Sequence, residues 1–246
     1  MVIKPHLLFR PAVAMIELIF AIVVMGIVMM SAPQLISTAT QSGYVAIQQE
    51  GINEAATQMN IILGYPWDEN NTNEDYAPTV LNVTNGDGNL NGIDDGVSHK
   101  RRAGTPDISK RLYIRGDNLE LSASVIGADG GDLDDMDDFN NTTVTLRQIQ
   151  DAGASDYLQK GATITLTRTV NYMSDTAAGG TYSDPGADNT ILFSPNFTNI
   201  VSTTNIKHIQ VTLASNGANN VAELNSSTIT LHAFSCNIGS YELEER

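Results

Sequence analysis

The sequence is poor in the features that usually announce chemistry. It has one cysteine, Cys236, in 246 residues, so no disulfide can close within the chain. A lone cysteine beside an apolar strand reads as a small buried residue rather than a nucleophile. Cations are scarce, with 13 Lys and Arg against 28 Asp and Glu, for a net charge of -15. That balance argues against a nucleic-acid partner. It fits mutual repulsion and solubility, and equally the binding of cations. Catalytic signatures are missing: there is no H-E-x-x-H, no G-x-S-x-G and no G-x-x-x-x-G-K-[ST]. His6, His99, His208 and His232 do not cluster in sequence. No repeat of fixed period is present. The reading is of a protein that is not an enzyme. Long apolar runs are absent too, with one exception.

That exception is residues 12–30, about 19 residues in which Glu17 is the only charge. Its length is close to the ~20 residues a helix needs to cross a bilayer. Lys4 and Arg10 precede it, and the next basic residue is Lys100. This asymmetry places the N-terminus in the cytoplasm and the remainder outside. A lone carboxylate in a membrane helix costs roughly 2.5–3.5 kcal/mol on insertion scales, so it is expected to serve a function and to seek a partner. A removed secretory signal would have a shorter apolar centre and a small-residue cleavage site. Here the exit Ser31-Ala32 is followed at once by Pro33. A plain single-span anchor explains the length and flanks but gives Glu17 no role.

The stretch Pro11-Ala12-Val13-Ala14-Met15-Ile16-Glu17-Leu18-Ile19 resembles the class III signal of type IV pilins and type II secretion pseudopilins. The resemblance covers about 50 residues. It implies cleavage between Ala12 and Val13 by a prepilin peptidase, N-methylation of Val13, and Glu17 as the fifth mature residue. Ala12 stands where the family usually has Gly, and Val13 where it usually has Phe. It also implies a bacterial inner-membrane precursor with a cytoplasmic N-terminus and a periplasmic C-terminal domain. Its partners would be an assembly platform and other pilin or pseudopilin subunits. The implied role is a structural subunit, minor rather than bulk, of a type II secretion pseudopilus or a type IV pilus. The Glu17 carboxylate would pair with the Val13 α-amine of a neighbouring subunit, which removes the penalty of an unpaired charge in lipid. Many family members close a C-terminal loop with a disulfide, which Cys236 alone cannot do. The alternative is a single-pass anchored surface domain that binds calcium or another ligand and does not polymerise.

The expected organisation is a leader (1–12), a transmembrane or filament-core helix (13–32), the amphipathic half of the same helix (33–63) and a globular β-rich domain (64–246). Pro33 lacks an amide donor and is expected to loosen or kink the helix. Beyond it Tyr44, Ile47, Gly51, Ile52, Ala55, Met59, Ile62 and Leu63 recur at helical steps, with Gln48, Gln49, Glu50, Asn53 and Glu54 largely opposite. Gly64-Tyr65-Pro66 ends the helix. A loop rich in Asn, Asp and Gly follows, to about residue 105. Residues 111–115 and 119–125 flank Gly116-Asp117-Asn118 as a hairpin signal. Residues 142–149, 162–172, 206–213 and 228–234 read as strands, the last two joined across 216–220. The predicted fold is α+β: a pilin-like long N-terminal helix packed on an antiparallel β-sheet, with long acidic loops.

One loop carries a metal-like pattern. Asp87, Asn89, Asn91, Asp94 and Asp95 offer oxygens at near-alternate positions around Gly92. Ca²⁺ takes six to eight oxygens, and a Gly permits the turn. The pattern departs from an EF-hand, with Ile93 one place early and Ser98 in place of Glu at the twelfth position. Residues 129–138 are denser in carboxylates and read as an exposed acidic loop, with a metal role or a contact for the basic group Lys100-Arg101-Arg102 and Lys110-Arg111 as the alternatives. Two stretches, 138–142 and 223–227, match an extended bacterial N-glycosylation pattern by composition.

Overall fold

The apolar run at residues 12–30 and the stretch after it, patterned at helical steps, form one helix, α1 (Pro11–Leu63). The structure, a computed structural model, describes residues 11–94, 96, 100–106, 108–127, 131–147, 163–179, 182, 191–215 and 228–240. The chain divides into two units, Met1–Glu50 and Gly51–Arg246, so the boundary falls inside α1. Ala12 and Val13 lie in the first turn of α1, and the leader before Pro11 is outside the described residues.

In the first unit, residues 14–39 are exposed at every position. The apolar side chains cover all sides of the helix, as expected of a segment with no water-facing side. Pro33 sits within the helix, which continues through it. The nearby hydroxyls are satisfied internally: Ser31 Oγ donates to the Val28 carbonyl and Thr38 Oγ1 to the Gln34 carbonyl, each at 2.9 Å. α1 is the one described helix long and apolar enough to cross a membrane.

In the second unit the helical pattern narrows to a stripe. Gly51, Ala55, Met59 and Ile62 are buried, while Asn53, Thr57, Asn60 and Ile61 are not. The stripe packs on a four-stranded antiparallel sheet in the order β3-β4-β5-β6: β3 (Thr142–Arg147), β4 (Thr163–Met173), β5 (Ile206–Ser215) and β6 (Ile229–Cys236). A two-stranded ribbon, β1 (Gly92–Asp94) and β2 (Lys100–Arg102), lies within the long loop. Strand alternation sets the core face. Ile164, Leu166, Val170 and Tyr172 of β4 meet Lys207, Ile209, Val211 and Leu213 of β5, all buried. Gly51 faces this layer so closely that an added Cβ would lie 3.1 Å from a Leu213 methyl. Arg168 Nη1 donates to Gln58 Oε1 at 3.1 Å, tying the sheet to the helix. The fold is therefore α+β, as the sequence predicts.

Two expectations are corrected. Residues 111–125 do not form a hairpin of two strands. A turn is present, with Asn118 at φ 67, but only one antiparallel bridge, Ile114 to Glu120, spans it. The backbone groups go elsewhere: the Leu112 carbonyl accepts from Val80 N–H and the Leu121 carbonyl from Asn82 N–H, both at 2.9 Å. Competition from the 80–82 segment thus replaces hairpin pairing. Nor are residues 135–139 an exposed acidic loop. Asp135, Asp137, Asp138 and Phe139 are buried in and beside a short 3₁₀ turn.

Candidate functional site: an unburied helix and a buried charge cluster

Glu17 stands on the exposed apolar helix beside Phe20, Ala21, Val24, Met25 and Val28. These positions recur at three- and four-residue steps, so the carboxylate occupies one continuous apolar face. Among the described residues no ion pair reaches Glu17. In a bilayer a charge so placed would gain from a cation brought by another molecule, because hydrocarbon offers no solvation.

In the loop at 87–94 one carboxylate oxygen each of Asp87 and Asp94 and the Leu90 carbonyl accept hydrogen bonds from the protein itself. Asp87 Oδ1 accepts from Asn89 N–H and from Asn89 Nδ2, each at 2.9 Å, capping a short 3₁₀ turn. Asp94 Oδ1 accepts from Gly96 N–H at 2.8 Å. Asn91 follows the turn, its N–H reaching the Gly88 carbonyl at 3.4 Å. The Leu90 carbonyl is taken by the Tyr113 hydroxyl at 2.6 Å and by Arg102 Nε at 3.0 Å. A guanidinium at that carbonyl works against a second cation there. Asp95 lies outside the described residues. Among the described residues no three His, Cys, Asp or Glu side chains gather as a metal group.

This loop is fastened to the sheet through the Asp175 carboxylate and the Arg102 guanidinium, each bonded to an uncharged group. Asp175 Oδ1 accepts from Asp87 N–H at 2.9 Å, and Asp175 Oδ2 accepts from Asn205 Nδ2 at 2.6 Å. Arg102 Nη2 donates to Asn205 Oδ1. Asn237 pairs with both backbone groups of Leu81, like a neighbouring strand. Lys100 of the basic group pairs with Glu120 at 2.7 Å. Asn140, acceptor of one glycosylation-like stretch, receives Val170 N–H on its side-chain oxygen; the other, 223–227, is outside the described residues.

The densest chemistry lies around Lys207, which the sequence reading places in a strand and does not single out. Lys207 is fully buried. Its Nζ contacts Asp137 Oδ1 directly and donates to the Trp67 carbonyl at 2.6 Å, with Asp68 Oδ2 at 3.4 Å. The ammonium also lies 4.5 Å from the Trp67 ring centroid and 5.4 Å from that of Tyr172. Asp68 Oδ2 accepts from Ser124 N–H at 2.9 Å, and the Tyr172 hydroxyl donates to the Ser124 carbonyl at 2.7 Å. Burial, then Asp68, pushes the Tyr172 phenol up, so it stays protonated. Asp135 Oδ1 accepts from the backbone N–H of Asp137 and of Asp138. Burial first, then the neighbouring Asp137, lifts the Asp135 carboxyl to about 8 against the opposing pull of Lys207.

A signal for Lys207 exists in the sequence. It is in phase with Ile209, Val211 and Leu213, so strand alternation alone puts it on the core face. A lysine in that phase requires a buried counter-charge. His208 and His232 were likewise separate in sequence. The structure joins them across β5 and β6, His208 Nε2 to His232 Nδ1 at 2.9 Å, with the Phe197 ring against both.

Fold and site together define an α+β protein with a membrane-length N-terminal helix and an antiparallel sheet, an arrangement compatible with pilin-like architecture. No family model, curated protein or solved structure matches the chain.

Proposed function

We propose that the chain is a structural subunit, of the minor kind, in a filament of the type IV pilin and type II secretion pseudopilin class. The observation that carries this reading is the first unit: residues 14–39 are mostly apolar, all exposed, and interrupted by a single carboxylate at Glu17. Such a surface needs lipid before assembly and other subunits after it. The same helix, α1, runs on into the residues that carry the core stripe of the second unit.

On this reading the precursor sits in the inner membrane and a prepilin peptidase cuts between Ala12 and Val13. Glu17 then docks on the amine of an adjoining Val13. Mass spectrometry of the N-terminal peptide from membranes or filaments tests it. A chain starting at N-methylated Val13 is the expected result; a chain retaining Met1 overturns it in favour of an anchored domain that does not polymerise. Calcium binding at the 87–95 loop is a separate proposal resting on the oxygen spacing. Isothermal calorimetry with millimolar Ca²⁺ decides it, and absence of heat ends it.

A further inference from the structure

The cluster around Lys207 has a composition that an ordinary ion pair does not require. Three buried carboxyl groups, Asp68, Asp135 and Asp137, surround one buried amine, with Trp67 and Tyr172 forming aromatic walls. Burying an ion pair carries a desolvation penalty that attraction offsets only in part. A reaction that removes the cation and one anion together would abolish that penalty.

We infer that Lys207 and Asp137 condense into an intramolecular isopeptide bond, with Asp135 and Asp68 as the proton carriers. Each part is in position. The Lys207 Nζ touches the Asp137 carboxyl, and the Trp67 carbonyl and Asp68 fix the amine's orientation. The backbone N–H of Gly127 donates to Asp137 Oδ2 at 3.2 Å, where negative charge develops when the carboxyl carbon is attacked. Asp135 Oδ1 accepts the backbone N–H of Asp137 at 2.9 Å, which ties the two residues together, and the Asp135 carboxyl, lifted to about 8, has a proton to share. Asp68 is the weaker candidate for the bond. Its Oδ2 is already engaged by the amide and hydroxyl of Ser124, and it stands farther from the amine.

The proton and atom balance closes within the cluster. The ammonium of Lys207 gives one proton to Asp68, and Asp135 gives its proton to Asp137. The Nζ lone pair then attacks Asp137 Cγ, forming the C–N bond, and a second amine proton passes to Asp135. The Asp137 hydroxyl leaves, takes the proton held by Asp68, and departs as water. Asp135 ends protonated and Asp68 ionised, as they began. No oxidant, reductant or cofactor takes part. The bond would join positions 70 residues apart in a chain with no disulfide. It depends on the fold of the second unit and not on filament assembly.

Intact mass spectrometry of the detergent-extracted, denatured full chain tests this, followed by peptide mapping. The expected result is a mass lower by one water than the sequence from the observed N-terminus, with a branched peptide joining Lys207 to Asp137. Asp137→Ala and Asp135→Asn should both return the unmodified mass. An unmodified wild-type mass overturns the inference whether or not the variants fold. So does a water loss that persists in Asp137→Ala or maps to an Asp-Gly step, where hydroxylamine would cleave it.

Discussion

One helix serves two regions that obey opposite rules. From residue 14 to 39 α1 is apolar on every side and buries nothing. From Gly51 to Ile62 it is apolar on one stripe, and that stripe is buried to the last residue. Secondary structure is the same in both; what differs is the solvent each sequence is written for. The second region answers to water, which drives a narrow apolar face onto the sheet at ~25 cal/mol per Å². The first has no such answer among the described residues, where positions 14–39 are all exposed. Its apolar residues add nothing to the stability of the folded domain, and its single charge adds nothing until another molecule supplies a partner.

The contrast can be broken most sharply at Glu17. Glu17→Ala is expected to lower incorporation into filaments by on the order of a hundredfold, which is what the ~2.5–3.5 kcal/mol attached to an intramembrane carboxylate amounts to at about 1.4 kcal/mol per factor of ten. Immunoblotting of sheared filaments against total membranes reads it. Wild-type incorporation would remove the assembly role. Urea unfolding of the same variant should leave the second unit unchanged.

Inside the second unit the largest loss is expected at the buried charges. Lys207→Met takes the amine, and with it the inferred Lys207–Asp137 bond, from the buried carboxyl groups of Asp68, Asp135 and Asp137, and should cost about 3–5 kcal/mol or more in urea unfolding. Next, Ile62→Ala is expected to cost ~2–5 kcal/mol through the cavity it opens. Its counterpart in the first region, Val24→Ala, should shift the same unfolding curve by less than ~0.5 kcal/mol. Equal effects of the two would erase the distinction drawn above. Gly51→Val drives methyls toward Leu213 and Ile164 and should cost about 1–3 kcal/mol by overpacking.

The smallest effect is a pH slope. Burial, then His232 beside it, holds the His208 imidazole below its usual range. The folded state therefore binds fewer protons than the unfolded one below the ordinary pKa of about 6.5. Stability should be full above that value and fall as the pH drops from there towards the lowered folded pKa. His208→Phe should flatten that slope in thermal melts taken across the acid range.

Much of this architecture was legible because its periods are strong. The helical stripe at Gly51, Ala55, Met59 and Ile62 and the alternation Thr163-Ile164-Thr165-Leu166 each name their element and buried face. The 111–125 region misled because a turn signal says nothing about what competes for the flanking backbone. There Val80 and Asn82 claim the carbonyls that a hairpin would have used. The charge cluster was half legible. The phase of Lys207 places it in the core, but its partners lie 139 and 70 residues away, and no local pattern links them. At the 87–95 loop the spacing named the turn: Asp87 Oδ1 caps the short 3₁₀ turn and Asp94 Oδ1 accepts from Gly96 N–H.

Cys236 closes β6 opposite Ile206, and burial pushes its thiol up. A thiol held back in this way reacts with an alkylating or disulfide reagent mainly when its strand end opens. Because the chain has no other sulfhydryl, the rate of its labelling would time the opening of that sheet edge, in purified protein or in intact cells, without any engineered probe.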